Sequence, residues 1–186
     1  MFRVIIRSVL LLLLSIAVTG CVRTTTMGHL VNKPESPVKQ IDYVFKTGQF
    51  NAQNKSAQAA INVTFNGLTT LLPKRIPVVF ALNGIEVTTA NAAAQYELFI
   101  SPRNATYSSY GGGDKVSMDL RAQLLDRSKG SKLIWWGDIS FFHNHQSNLD
   151  EKGADNFAKS VLERLVTDGI VKLDSDAIKM PEEKAK

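Results

Sequence analysis

The feature that most constrains this chain is its beginning. Met1-Phe2-Arg3-Val4-Ile5-Ile6-Arg7 carries two positive charges and is followed by Ser8-Val9-Leu10-Leu11-Leu12-Leu13-Leu14-Ser15-Ile16-Ala17. A basic start before an apolar run is the order a secretory signal peptide needs, because the charges stay cytoplasmic while the apolar stretch inserts. The uncharged run from Ser8 to Val22 is 15 residues long. A helix needs about 20 residues to cross a bilayer, so this stretch reads as a removable signal over residues 1–20 and not as a permanent span.

The run ends in Val18-Thr19-Gly20-Cys21. That sequence resembles the bacterial lipobox, in which an apolar residue and two small ones precede a cysteine that takes a diacylglyceryl group. The chain holds a single cysteine, and it stands at this position. The resemblance implies lipidation at Cys21 and attachment to a membrane through acyl chains. Each buried methylene contributes about 0.8 kcal/mol, so several chains together anchor stably where one does not. Val22 is not the aspartate that retains lipoproteins of enteric-type bacteria in the inner membrane. The resemblance therefore implies the periplasmic side of the outer membrane.

One cysteine excludes an internal disulfide and Cys-based metal clusters. Arg3 and Arg7 supply two of the five net positive charges, leaving +3 once the signal is removed. Without a Lys/Arg run, that mild balance argues against nucleic-acid binding. Residues 21–38 show no apolar period and read as a lipidated cysteine with a flexible tether. The far end, residues 174–186, reads as a polar tail. Between them, 39–173, lies enough chain for one domain with its own core.

Ile41 to Phe45 predicts a first strand. Ala57, Ala60, Ile61, Phe65, Leu68, Leu71 and Leu72 recur at helical spacing from a start near Asn54 or Ser56, and Pro73 is expected to interrupt that helix. Ile76 to Leu82 fits a second helical piece or a strand, and Asn83-Gly84, which suits a helix C-cap, favours the helix; Ile85 to Thr88 reads as a short strand. Three longer alternating strands follow around Tyr96–Ser101, Val116–Leu124 and Leu133–Phe141. A last helix carries Ala154, Phe157, Ala158, Val161, Leu162, Leu165 and Val166, with Gly169 placed to end it. The expected fold is α+β: a mainly antiparallel sheet of about five strands with two helices packed on one face, the other face open to water or a partner.

Asn83-Gly84-Ile85-Glu86-Val87 and Leu133-Ile134-Trp135-Trp136-Gly137, in this layout, resemble a group of small envelope lipoproteins. The group includes the lipoprotein of the lipopolysaccharide translocon and lipoprotein activators of cell-wall synthases. The resemblance covers about residues 40 to 173 and implies a binding or scaffold role without catalysis. It transfers no functional residue beyond Cys21.

His143 and His145 sit at i and i+2, and on a strand they share a face and could hold a metal. No third ligand is evident, His29 falling in the tether, so a solvated strand end is the preferred reading and no metal or cofactor is assigned. Gly111-Gly112-Gly113 lacks the Lys-Ser/Thr of a phosphate loop and reads as a hairpin tip. No G-x-S-x-G elbow is present. Trp135 shares parity with the apolar set and is expected under a helix. Trp136 then points outward with Ile134, and Phe99 faces the same side of its own strand. Phe99, Ile134 and Trp136 form the expected partner surface, set against the alternative that a loop or edge strand covers them. The functions considered are a non-enzymatic envelope module binding another envelope protein, a glycan- or lipid-binding carrier for lipopolysaccharide or peptidoglycan, and a metal-dependent enzyme at His143 and His145.

Overall fold

Strict alternation of apolar and polar residues makes strands whose two faces differ in kind, and this chain spends more of its described length on strands than on helices. The computed structural model describes residues 23–182 apart from 53, 89–93, 111–112, 145–148 and 176. Cys21 and the signal segment lie outside the described residues. The elements run β1 (Arg23–Leu30), β2 (Gln40–Phe45), α1 (Lys55–Leu82), β3 (Glu86–Thr88), β4 (Tyr96–Tyr110), β5 (Gly113–Asp126), a 3-10 turn (Arg127–Lys129), β6 (Lys132–Asn144) and α2 (Glu151–Thr167). The strands form one six-stranded sheet in the order β1-β6-β5-β4-β2-β3. β1, β6, β5 and β4 pair antiparallel, whereas β2 runs parallel to both β4 and β3.

The fold is therefore α+β, as expected, but the sheet is mixed and has one strand more than predicted. The added strand is β1. Residues 23–30 do not belong to a tether: they pair residue by residue with β6, from Arg23 opposite Phe142 to Leu30 opposite Trp135. The chain stays attached beyond them, since Val31 and Asn32 donate backbone N–H bonds to the Ile134 carbonyl and Val38 N–H bonds Ile170. β1 is an edge strand, so half of its backbone partners and much of its burial are missing. An edge needs no apolar alternation, and its β-branched threonines suit a pleated ladder.

Pro73 does not end the first helix. α1 continues through Pro73 and Pro77 to Leu82. Each proline forfeits a backbone bond and costs roughly 3 kcal/mol in a helix interior. Leu68, Leu72, Ile76, Val79 and Phe80 are fully buried on either side of the break. At about 1.5–3 kcal/mol for each buried side chain, they outweigh the two prolines. The ends of both helices follow the sequence. Asn54 and Asp150 cap the N-termini by accepting from Ala57 and Gly153, Asn83 caps the end of α1, and Gly84 and Gly169 take positive φ beyond the helices.

Both helices lie on one face of the sheet. Against them pack Leu98 and Ile100 of β4, the row Val116, Met118, Leu120, Ala122 and Leu124 of β5, and Trp135, Ile139 and Phe141 of β6. Trp135 is fully buried, and its indole Nε1 donates to Asp168 Oδ2 at 2.7 Å. A Cβ on Gly137 would come within 2.8 Å of the Trp135 ring, so glycine two residues on leaves the indole room to lie flat. A Cβ on Gly28 would likewise lie 2.5 Å from both Arg164 Nε and Asp168 Oδ2. The pair Arg164–Asp168, 2.7 Å apart, fills that notch and ties α2 to β1. The expected polar tail is also corrected in part. Asn83 accepts from Lys179 N–H and donates to its carbonyl, and Ile178 and Met180 pack on the core. Among the described residues no helix is long and apolar enough to cross a membrane.

Candidate partner-binding face

Among the described residues neither helix packs on the opposite face of the sheet. Strand register places His29, Trp136, Gln123, Phe99 and Val44 in one row across β1, β6, β5, β4 and β2. At about 4.8 Å per strand the row is roughly 19 Å long. His29 and Val44 are exposed, and Trp136, Gln123 and Phe99 are half-buried. Met27 on the same face is 69% exposed and Phe142 43%.

Trp136 anchors the row. His29 of β1 stacks on its ring with centroids 4.2 Å apart, and the Arg121 guanidinium of β5 lies 4.2 Å from the ring centroid. The indole is thus held between neighbours from the strands on either side of β6. Arg121 is itself fixed by Asp138 through two hydrogen bonds of 2.7 and 2.6 Å. That bidentate contact holds the Asp138 carboxyl below its usual range and raises the Arg121 guanidinium further. Ser140 donates to Asp119 at 2.8 Å one rung away.

A second charged group borders the face. Arg127 bonds Glu97 from Nε at 2.9 Å and also contacts Asp42, which accepts from Thr88 as well. Burial pushes the Asp42 carboxyl up, but the hydrogen bonds from Thr88 and Arg127 and the charge of Arg127 leave it below its ordinary value. The face is therefore a patterned surface, with apolar and aromatic side chains between ion pairs whose geometry is set by the sheet.

Of the residues predicted for a partner surface, Phe99 and Trp136 share this row and Ile134 does not. Ile134 is 3% exposed and belongs to the core. It is the extra residue of a bulge, since Trp135 pairs with Leu124 while Leu133 pairs with Leu125. A bulge turns a side chain away from the alternation that parity assumes. Sequence reasoning missed His29, assigned to the tether, and Arg121 and Asp138, whose pairing requires the register of β5 on β6. His143 lies in β6, but its side chain and all of His145 fall outside the described residues, as do Cys21 and the glycines at 111 and 112.

A separate solvent-open groove of about 1270 Å³ lies between residues 33–37, the end of α2 and residues 171–178. Lys33, Lys159, Glu163, Arg164 and Lys172 line it, and its charges pair in part, Lys159 with Glu163 at 3.5 Å and Arg164 with Asp168.

No family model and no curated protein matches the chain. Several solved structures are similar in fold. A PelC dodecamer from Paraburkholderia phytofirmans is 15% identical, with a TM-score of 0.44 over 77% of this chain and 95% of that one. Lipoprotein GNA1162 from Neisseria meningitidis is also 15% identical, with a TM-score of 0.37 over 70% of this chain and 99% of its own. A minor lipoprotein from Acinetobacter baumannii, again 15% identical, has a TM-score of 0.35 over 72% and 97%. At these identities and scores the likeness is one of fold and assigns no role to any residue.

Proposed function

We propose that this chain is a membrane-anchored periplasmic lipoprotein, acylated at Cys21 at the outer membrane, whose domain serves as a non-enzymatic module that binds another envelope protein through its open sheet face. The observation that carries this reading is the row His29, Trp136, Gln123, Phe99 and Val44 on a face that no helix covers. Aromatic anchors rimmed by fixed ion pairs have the composition of protein interfaces. The resemblance of Val18–Cys21 to a lipobox supports the location, and the sheet face supports the surface.

A glycan- or lipid-binding carrier would use the same aromatics as stacking platforms for sugar or acyl groups. A sugar or acyl group stacking on Trp136 would have to displace His29 or Arg121 from its ring, whereas a protein partner can engage the row from His29 to Val44 with those contacts in place. The protein partner is therefore the preferred reading.

The test combines two measurements on the full chain in a diderm host. Radiolabelled fatty acid should be incorporated by the native protein and not by Cys21→Ser. A photo-crosslinking amino acid at Phe99 should trap one envelope protein, whereas the same group at Val63, exposed on α1, should not. Equal trapping from both positions would rule out the sheet face as the binding surface. Quenching of tryptophan emission by lipopolysaccharide or peptidoglycan fragments would favour the carrier instead.

A further inference from the structure

The corrected start of the domain bears on how it sits at the membrane. β1 begins at Arg23, two residues after Cys21, and is bonded to β6 from its first residue. Two extended residues span at most about 7 Å. An anchor on Cys21 therefore keeps the start of β1 within about that distance of the acylated residue. Resting on acylation of Cys21 as proposed above, we infer that the domain stands on the bilayer with one end of its sheet against the phospholipid headgroups: the end formed by the start of β1, the close of β6 and the far part of the β4–β5 hairpin.

The pairing fixes which residues share that end. Arg23 lies level with Phe142, which lies opposite Ser117, and Thr106 lies opposite Ser117 on the other side. Two residues beyond Arg23, the anchored cysteine reaches no farther than the level where Lys115 pairs with Asn144. The hairpin continues past that level through Ser109 opposite Asp114 to Tyr110 opposite Gly113. At about 3.3 Å per residue this is roughly another 7 Å, enough to bring the hairpin to the headgroup layer. The chemistry of this end suits such a surface. Ser108, Ser109 and Lys115 are exposed, Phe142 is 43% exposed, and residues 106–117 contain one acid, Asp114, and one base, Lys115. The hairpin therefore carries no net charge to oppose an anionic leaflet.

The same arrangement sets the height of the partner face. Trp136 pairs with His29, six residues along β1 from Arg23, so the aromatic row stands about 20 Å beyond the level of Arg23 and runs across the strands. A partner that engages it must approach from the side, close to the membrane. The 3-10 turn Arg127–Lys129 marks the end that faces away.

The experiment uses the acylated full chain in vesicles of phosphatidylethanolamine and phosphatidylglycerol containing a headgroup spin-labelled lipid. Ser109→Cys and Ser128→Cys each carry a thiol-linked fluorophore, the native Cys21 being blocked by its lipid; mass spectrometry of the N-terminal peptide establishes acylation first. The Ser109 label should lose most of its emission and the Ser128 label should keep it. Inserting a Gly/Ser spacer of about ten residues after Val22 should erase the difference. With acylation present, equal quenching at both sites, or stronger quenching at Ser128, overturns this orientation while leaving the lipoprotein reading intact. Persistence of the difference with the spacer overturns the short anchor as its cause. An N-terminal peptide without lipid overturns both readings together.

Discussion

Trp135 and Trp136 are neighbours in sequence and opposites in environment. Trp135 is sealed between the sheet and α2, with its one polar atom bonded to Asp168. Trp136 lies on the open face, half-buried, and is held by His29 and Arg121. Strand alternation alone separates the two rings. The contrast extends to the whole sheet. One face is an apolar core closed by two helices, and the other carries ion pairs and aromatics that neither helix covers.

Loss of the Trp135 ring should be the most damaging change. Trp135→Ala should cost about 3–5 kcal/mol, because a large fully buried ring is lost and Asp168 loses a donor; denaturant unfolding followed by circular dichroism would register it. Gly137→Ala adds a methyl within 2.8 Å of the Trp135 ring and 3.1 Å of the Met27 carbonyl, and should cost about 1–3 kcal/mol by overpacking. Trp136→Ala removes one ring stack and one cation–π contact at a partly exposed site, and should lower stability by about 1 kcal/mol in the same assay. Should Trp136→Ala prove as damaging as Trp135→Ala, the two faces would not differ as described.

The smallest expected effect is one of pH. Arg121 holds the Asp138 carboxyl below its ordinary value of 3.8. Its contribution is therefore fully present above about that value and is lost as pH falls through the lower folded-state value. Asp138→Asn should flatten the acid limb of a stability-versus-pH curve by lowering stability at neutral pH by less than about 1 kcal/mol, small because the pair is exposed enough to be screened, while the acid end stays unchanged. An unchanged acid limb would show that the ion pair does not stiffen the outer face.

Local signals were legible and long-range ones were not. The helix start at Asn54, the glycines at 84 and 169 and the alternation of β5 could each be read from neighbouring residues. β1 could not, since its stability comes from a partner strand more than a hundred residues away. The proline-containing stretch of α1 was misread for a related reason: the cost of the prolines is local, whereas the burial that offsets it is tertiary. Of the candidate surface, the outward facing of Trp136 and Phe99 followed from parity. Ile134 was misplaced because a bulge suspends parity. Nothing in the local sequence announces that His29, Arg121 and Asp138 gather around Trp136.

The claim that the open face recognises a partner while the closed face holds the fold is tested most directly by crosslinking from Phe99 in the Trp136→Ala protein, well below its unfolding temperature. The trapped envelope protein should be largely lost while the circular dichroism spectrum stays native. Undiminished trapping in the folded variant would contradict it.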